Sequence, residues 1–449
     1  MRSTGDAAKR SSTVRSGRRR VAVRAVATLV PILAVLLSSC SDGVDDVRSV
    51  SSAGWSSYGG NAQNSNFAYP EVRSDLTLSW SRPVGGEISA PLTISGRSNV
   101  SVTATTGGGC NTFQFDPRAG RKNFCKYLGD GVALNSMLVD QYENGYIGQA
   151  GTFIGLNGGG DTRWSFGVVG VPVSAKFAGP GSVLMVSHLG QILLFDSQTG
   201  KLQAPGIALR PGVDPTKPLE GLGDCVTGGP ACPVQAPPAV DDNRERFYLN
   251  YWPQGEIASG VRAFDYGKQD GSRSIRDAWS ADIPGGVIGP PTLSIDRKTL
   301  YVFNRLGSIY ALDAETGERK WDYSVGDFGF ATMTVAPDGL FIPTGLLGSP
   351  VRAFRDEGDK AVPVWERTDL RSVSLATLTN SGTAWTVVRE PGEDNLTLTE
   401  LDSGDGTTKR TLEMPGALGF TTGVAVSASG QVAVATHLGE VYFYDSPKN

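Results

Sequence analysis

Apolar and polar positions alternate along this chain in short runs, and one run recurs almost verbatim. Residues 183–197 read VLMVSHLGQILLFDS, 432–446 read VAVATHLGEVYFYDS, and 301–314 read YVFNRLGSIYALDA. Each copy is two apolar, β-prone stretches joined at a Leu-Gly turn and closed by an acidic residue. That pattern is a hairpin buried on both faces. Gly190, Gly307 and Gly439 keep a constant spacing to Asp196, Asp313 and Asp445, so the copies share one register.

Fainter copies end at Asp116, Asn157, Asp265, Asp356 and Asp402, which brings the units to eight. Most are about one four-stranded unit apart, and self-similarity at roughly 40 to 50 residues marks a propeller or solenoid. The expected fold is all-β: an eight-bladed β-propeller of four-stranded blades. The wide interval between Asp196 and Asp265 holds residues 205–238, rich in Pro and Gly, expected to be a long loop between blades. After the turn at Gly317 comes a strand with Trp321, and Trp164, Trp279 and Trp365 hold the same place. A flat side chain recurring once per unit packs adjacent blades; a platform for a sugar or quinone is the functional alternative. The last unit ends soon after Asp445 without such a strand, whereas residues 76–84 (LTLSWSRPV) carry one, with Trp80, and no partner strand precedes them. Pairing the two closes the ring and removes an exposed edge.

Ahead of the repeats, residues 2–24 carry eight basic side chains and one acidic, residues 25–37 are apolar, and Leu37-Ser38-Ser39-Cys40 follows. This resembles a bacterial lipoprotein signal with its lipobox. The resemblance implies a signal peptide over 1–39, a lipid-bearing Cys40 and a tether over 40–54, followed by a propeller domain over 55–449. The apolar stretch is shorter than the roughly 20 residues of a bilayer span. Without residues 1–39 the formal net charge falls from −4 to −11, a balance that disfavours nucleic acid. Cys110, Cys125, Cys225 and Cys232 remain. Cys110 and Cys125 flank one turn and Cys225 and Cys232 bracket a Thr-Gly-Gly-Pro loop, so two local disulfides are expected. Four thiolate ligands are the alternative, against which stand the lack of a Cys-x-x-Cys and of a nearby His.

The stretch from Gly307 to Trp321, GSIYALDAETGERKW, resembles the pyrroloquinoline-quinone (PQQ) type propeller repeat, and WSSYGGNAQNSNF from Trp55 to Phe67 is similar to the opening segment of that superfamily. The family contains quinoprotein dehydrogenases and non-catalytic lipoproteins such as the propeller subunit of the outer-membrane barrel-assembly machine. The dehydrogenases hold PQQ against two adjacent cysteines, coordinate Ca²⁺ with acidic and amide groups and use an Asp base. Here no two cysteines adjoin, and the segments expected at the channel (85–91, 285–291, 326–333 and 416–423) carry only Glu87 and Asp327 as charges. His188 and His437 occupy one repeat position, where Arg305 stands in a third copy, which argues for structure rather than a catalytic triad. Gly107–Gly109 and Gly158–Gly160 lack the context of phosphate loops. The resulting expectation names no catalytic, cofactor or metal residue. It is a monomeric scaffold anchored by lipid to the outer face of the cell membrane, binding an envelope protein or polymer, with 205–238 as candidate surface. The alternative is a PQQ-dependent dehydrogenase or PQQ-binding protein.

Overall fold

The computed structural model describes residues 47–255, 259–326, 332–344 and 348–447. The export segment and Cys40 lie outside them. The described chain is all-β apart from the short helix Leu222–Thr227 and one 3-10 turn, Val132–Leu134. Six separate four-stranded sheets form, and two more sets of four strands, within 332–372 and 377–413, share a nine-stranded sheet. They merge because the long strand Ala361–Ser372 also pairs with Thr383–Arg389; Phe67–Ala68 supplies the ninth strand, parallel to Thr377–Thr379. First strands of neighbouring sets lie side by side, from Ala239–Asp241 through Thr292–Leu293, Thr332–Val335, Thr377–Thr379 and Thr421–Val426 to Thr93–Ile94 and Leu138–Val139. Strand Thr77–Pro83 pairs antiparallel with Glu440–Asp445, joining the two ends of the repeat array in one sheet.

Of the eight residues expected to close a unit, six end the third strand of a set, and Asp116 and Asn157 follow it directly. There Asp313 caps a tight turn: its carboxylate accepts the amides of Glu315 (2.9 Å) and Thr316 (3.1 Å), and Gly317 N–H donates to its carbonyl at 2.8 Å. Asx capping of this kind leaves Gly317 at φ +79°. The open face of that glycine receives Trp279 from the preceding set: an added methyl would lie 2.5 Å from the indole, and Trp279 Nε1 donates to Ala314 O at 3.3 Å. The device repeats with Trp80 on Gly120, Trp164 on Gly200 and Trp365 on Gly406, where added methyls would stand 2.6, 2.6 and 2.7 Å away. Trp321 instead donates to Asp356 at 2.9 Å. The recurrent tryptophan thus packs between units, and the first of them, Trp80, also stacks on Phe443 of the last unit at 5.0 Å.

Gly317→Ala combines a positive-φ penalty with an overpacked indole, and an expected loss of about 1–3 kcal/mol follows. Denaturant unfolding of the variant beside Thr316→Ala, which touches only the exposed turn, checks this; equal midpoints would refute the docking role.

Candidate functional site

The N-terminal segment crosses the inner strands one after another. Ile94 N–H donates to Trp55 O, Val139 N–H to Ser56 O, Val240 N–H to Ala62 O, Leu293 N–H to Gln63 O, Val335 N–H to Ser65 O and Leu378 N–H to Asn66 O, all at 2.8–3.2 Å. Asn64 Nδ2 lies 3.1–3.2 Å from the carbonyls of Pro237, Pro238 and Pro291. Lys176, wholly buried on its inner strand, grips the same segment: Nζ donates to Asn61 O at 2.7 Å, to Tyr58 O and to Ser57 Oγ at 3.3 Å. Burial pushes its pKa well below the ordinary lysine value. The amide-rich sequence of 61–66 therefore satisfies backbone groups of inner strands that have no further strand beside them.

Above this segment lies a cavity of about 460 Å³ at the hub. Tyr58 contributes from the crossing segment. The walls come from the loops that lead into the inner strands, where Ala90-Pro91, Val171-Pro172, Ala236-Pro237 and Gly289-Pro290 recur, together with Leu375, Phe420 and Thr422. Among the described lining residues there is no Asp, Glu, Lys or Arg. The insertion 205–238 is not a bare loop. It adds the short strand Ile207–Ala208 and the helix Leu222–Thr227, and its Leu222, Cys225, Val226 and Gln235 form part of the cavity wall.

The structure joins Cys225 to Cys232 within the insertion (Cα–Cα 5.2 Å) and Cys110, just ahead of strand Thr112–Phe115, to Cys125 on the strand beside it (5.5 Å). The repeat-position histidines serve packing. His188, 1% exposed, accepts Val171 N–H on Nδ1 at 2.9 Å and donates Nε2–H to Glu220 O at 2.8 Å, which ties the insertion to the hub. His437 stacks on Phe420 at 4.3 Å and meets Glu87 at 2.6 Å, while Arg305 lies 5.6 Å over Trp252. Glu87 thus stands beside His437; Asp327 lies outside the described residues. Exposed Leu134 and Val226 line the cavity; Leu219 of the insertion and Leu306, Leu418 and Leu438 on turns and loops of other units are exposed as well.

A carboxylate-bearing quinone with Ca²⁺ needs cationic partners, acidic ligands and a base. The described lining supplies none of these, and no group of three or more His, Cys, Asp or Glu among the described residues could hold a metal ion. PQQ therefore does not fit the described part of this hub. Of the segments read from sequence as channel-facing, 85–91, 285–291 and 416–423 do contribute to the wall. Tyr58, His188 and the insertion helix were missed, although the crossing segment's run of amides was a visible signal.

The repeats, the Asp-capped turns and the hub define a PQQ-like propeller repeat protein. The family described as outer membrane protein assembly factor BamB matches residues 232–336. The chain belongs to the same family as Protein Rv3035 of Mycobacterium tuberculosis, with 32% identity over 413 residues, 91% of this chain and all of that one. Solved folds that resemble it include BamB from Moraxella catarrhalis (TM-score 0.57, 16% identity, 82% of this chain and 99% of that one). Quinohemoprotein alcohol dehydrogenase from Comamonas testosteroni is another (0.61, 13%, 88% and 82%). At these identities the likeness is one of fold.

Burial lowers the His188 pKa below 6.5, outweighing the opposing hydrogen bonds to Glu220 and Val171, with Arg210 adding to the lowering. The unfolded chain binds this proton at a higher pH than the folded one. Its stabilising contribution is therefore complete above pH 6.5 and declines as pH falls from there towards the lowered value. Limited proteolysis within 205–238 is expected to quicken at pH 5 relative to pH 7.5. His188→Gln, which keeps a donor and an acceptor, is expected to flatten that dependence; an unchanged acid response in the variant would sink the assignment.

Proposed function

We propose that this protein is a non-catalytic binding and assembly scaffold of the cell envelope, exported and held by lipid on Cys40 at the outer face of the cell membrane. Residues 1–39 are its signal peptide, 40–54 its tether and 55–449 an eight-bladed propeller closed by the pairing of Thr77–Pro83 with Glu440–Asp445. The two disulfides support an oxidising, extracytoplasmic compartment. The observation that carries the reading is the hub: its described lining is uncharged, and exposed Leu134 and Val226, the latter from the stapled insertion, stand in its wall. Such a surface offers apolar area for a partner protein, and its described lining holds no carboxylate for metal or general-base chemistry. The matched family, described as an outer membrane protein assembly factor, favours a protein partner in an assembly process. The propeller scaffold keeps the loops rigid, so docking proceeds with little ordering cost.

The second reading, a PQQ-dependent dehydrogenase or PQQ-binding protein, is favoured by the fold shared with quinohemoprotein alcohol dehydrogenase. Lipidated full-length bait with a site-directed crosslinker near the mouth is expected to capture a discrete envelope partner. The double variant Leu306→Glu, Leu438→Glu, at exposed positions, is expected to lower capture at least about tenfold with an unchanged melting temperature. Capture indifferent to the variant, or a clear rise in melting temperature with PQQ and Ca²⁺, would transfer support to the second reading. Cys40→Ser is expected to abolish fatty-acid labelling and leave the chain unanchored, measured by membrane fractionation.

A further inference from the structure

The chain enters the propeller at the end opposite the hub cavity. The loops that line the cavity lead into first strands, so the turn after each of those strands lies at the far end of its sheet. Residues 47–52 strap three such turns together. Val50 N–H donates to Gln141 Oε1 at 2.6 Å, Gln141 N–H donates to Val50 O at 3.1 Å, and Gln141 Nε2 donates to Arg48 O at 3.2 Å. Gly181 N–H donates to Ser49 O and Gly96 N–H to Ser52 Oγ, both at 2.7 Å. Turns from three consecutive units are thereby fixed around the strap.

The surface formed there is apolar and basic. Val47, Val50 and Tyr142 are 51%, 40% and 53% exposed, and Arg48 of the strap and Arg97 of the turn beside Ser52 are exposed too. The acidic residues of the same turns are held inside. Asp140, 0% exposed, accepts Ser49 Oγ–H at 2.8 Å, Tyr146 O–H at 3.0 Å and the amides of Tyr142 and Asn144 at 2.9 and 2.8 Å. Glu143 is buried and accepts Asn99 Nδ2–H at 2.9 Å. The exposed charges of the strap and these three turns are therefore both cations, in a chain of net negative charge. A tyrosine and two valines among arginines suit a lipid interface: the amphipathic ring sits at headgroup level, and a guanidinium pairs with phosphate.

We propose that this strapped surface rests on phospholipid headgroups, with Arg48 and Arg97 on lipid phosphate, so that the hub opens away from the membrane. The inference rests on the lipid anchor proposed above. Cys40 precedes Val47 by seven residues, and an extended chain of that length spans at most about 25 Å. A lipid on Cys40 keeps the surface near the bilayer, and at that effective concentration a weak contact suffices to fix orientation. Asp42, Asp45 and Asp46 of the tether cancel long-range attraction of the arginines, so the fit is to phosphate in contact.

The test reconstitutes the full-length protein, purified from membranes, into phosphatidylcholine vesicles. Photoreactive benzoylphenylalanine replaces Tyr142 or, separately, Val226, which is exposed in the cavity wall. Irradiation is expected to give about tenfold more lipid adduct at 142 than at 226. Arg48→Ser combined with Arg97→Ser, both at exposed positions, is expected to lower the adduct at 142 about threefold with an unchanged melting temperature. Equal yields at the two positions, more adduct at 226, none at either, or a yield at 142 indifferent to the double variant would overturn the proposal. Fatty-acid labelling of Cys40 is read in the same preparation. No label with adduct confined to 142 removes the anchor and leaves the surface standing; label with adduct at 226 alone does the reverse.

Discussion

The contact on which the rest of the structure depends is an indole laid on a glycine. A four-stranded sheet with two apolar faces cannot be stable alone; it needs a neighbour at a fixed offset. Trp80, Trp164, Trp279 and Trp365 set that offset by reaching from an outer strand to the Asp-capped turn of the next set. The turn must contain glycine twice over, for its positive φ and for the space a Cβ would take from the ring. Each of these indoles also donates its N–H to a turn carbonyl or, for Trp321, to Asp356, so these five enter the interfaces without an unpaired donor.

This contact explains why the ends of the array belong together. Strand Thr77–Pro83 carries Trp80, which packs on Gly120 in the first sheet while its backbone pairs with Glu440–Asp445 in the last. One strand thus makes both kinds of contact, ladder and docking, that elsewhere a contiguous unit makes by itself. The crossing segment supplies a second constraint at the hub. Backbone carbonyls on and beside the inner strands converge there, and the side-chain amides of Gln63, Asn64 and Asn66 answer them, while Lys176 holds the crossing segment by its own carbonyls.

Much of the repeat was legible because its physics is local. An Asp-x-x-x-Gly turn followed by a tryptophan strand announces itself in a dozen residues, and Asp196, Asp313 and Asp402 close their strands where the pattern puts them. The cysteine pairs were readable for the same reason, each straddling one turn. The merger of two strand sets through Ala361–Ser372 was not legible, since strand length at an outer edge is set by what the neighbouring set leaves unpaired. Neither was the hub. Tyr58, His188, Cys225 and Thr422 are far apart in sequence and meet only because successive units turn the same end of each sheet inward. A histidine in a repeated position looked like packing, and it is packing; what the repeat could not disclose is that one copy, His188, also holds the insertion to the hub, whereas His437 stacks on Phe420.

That difference between equivalent positions is where function enters a repeat protein. Identical units produce a symmetric torus with nothing to distinguish one approach from another. Here the insertion breaks the symmetry at the hub, where its disulfide and bond to His188 turn a Pro- and Gly-rich excursion into a fixed wall. Its apolar Leu222 and Val226 then extend the uncharged lining towards solvent rather than closing it with polar groups. Stability and specificity thus occupy separate parts of the molecule. The indole contacts hold the rigid outer architecture, and the residues that vary from unit to unit at the mouth determine what can be bound there.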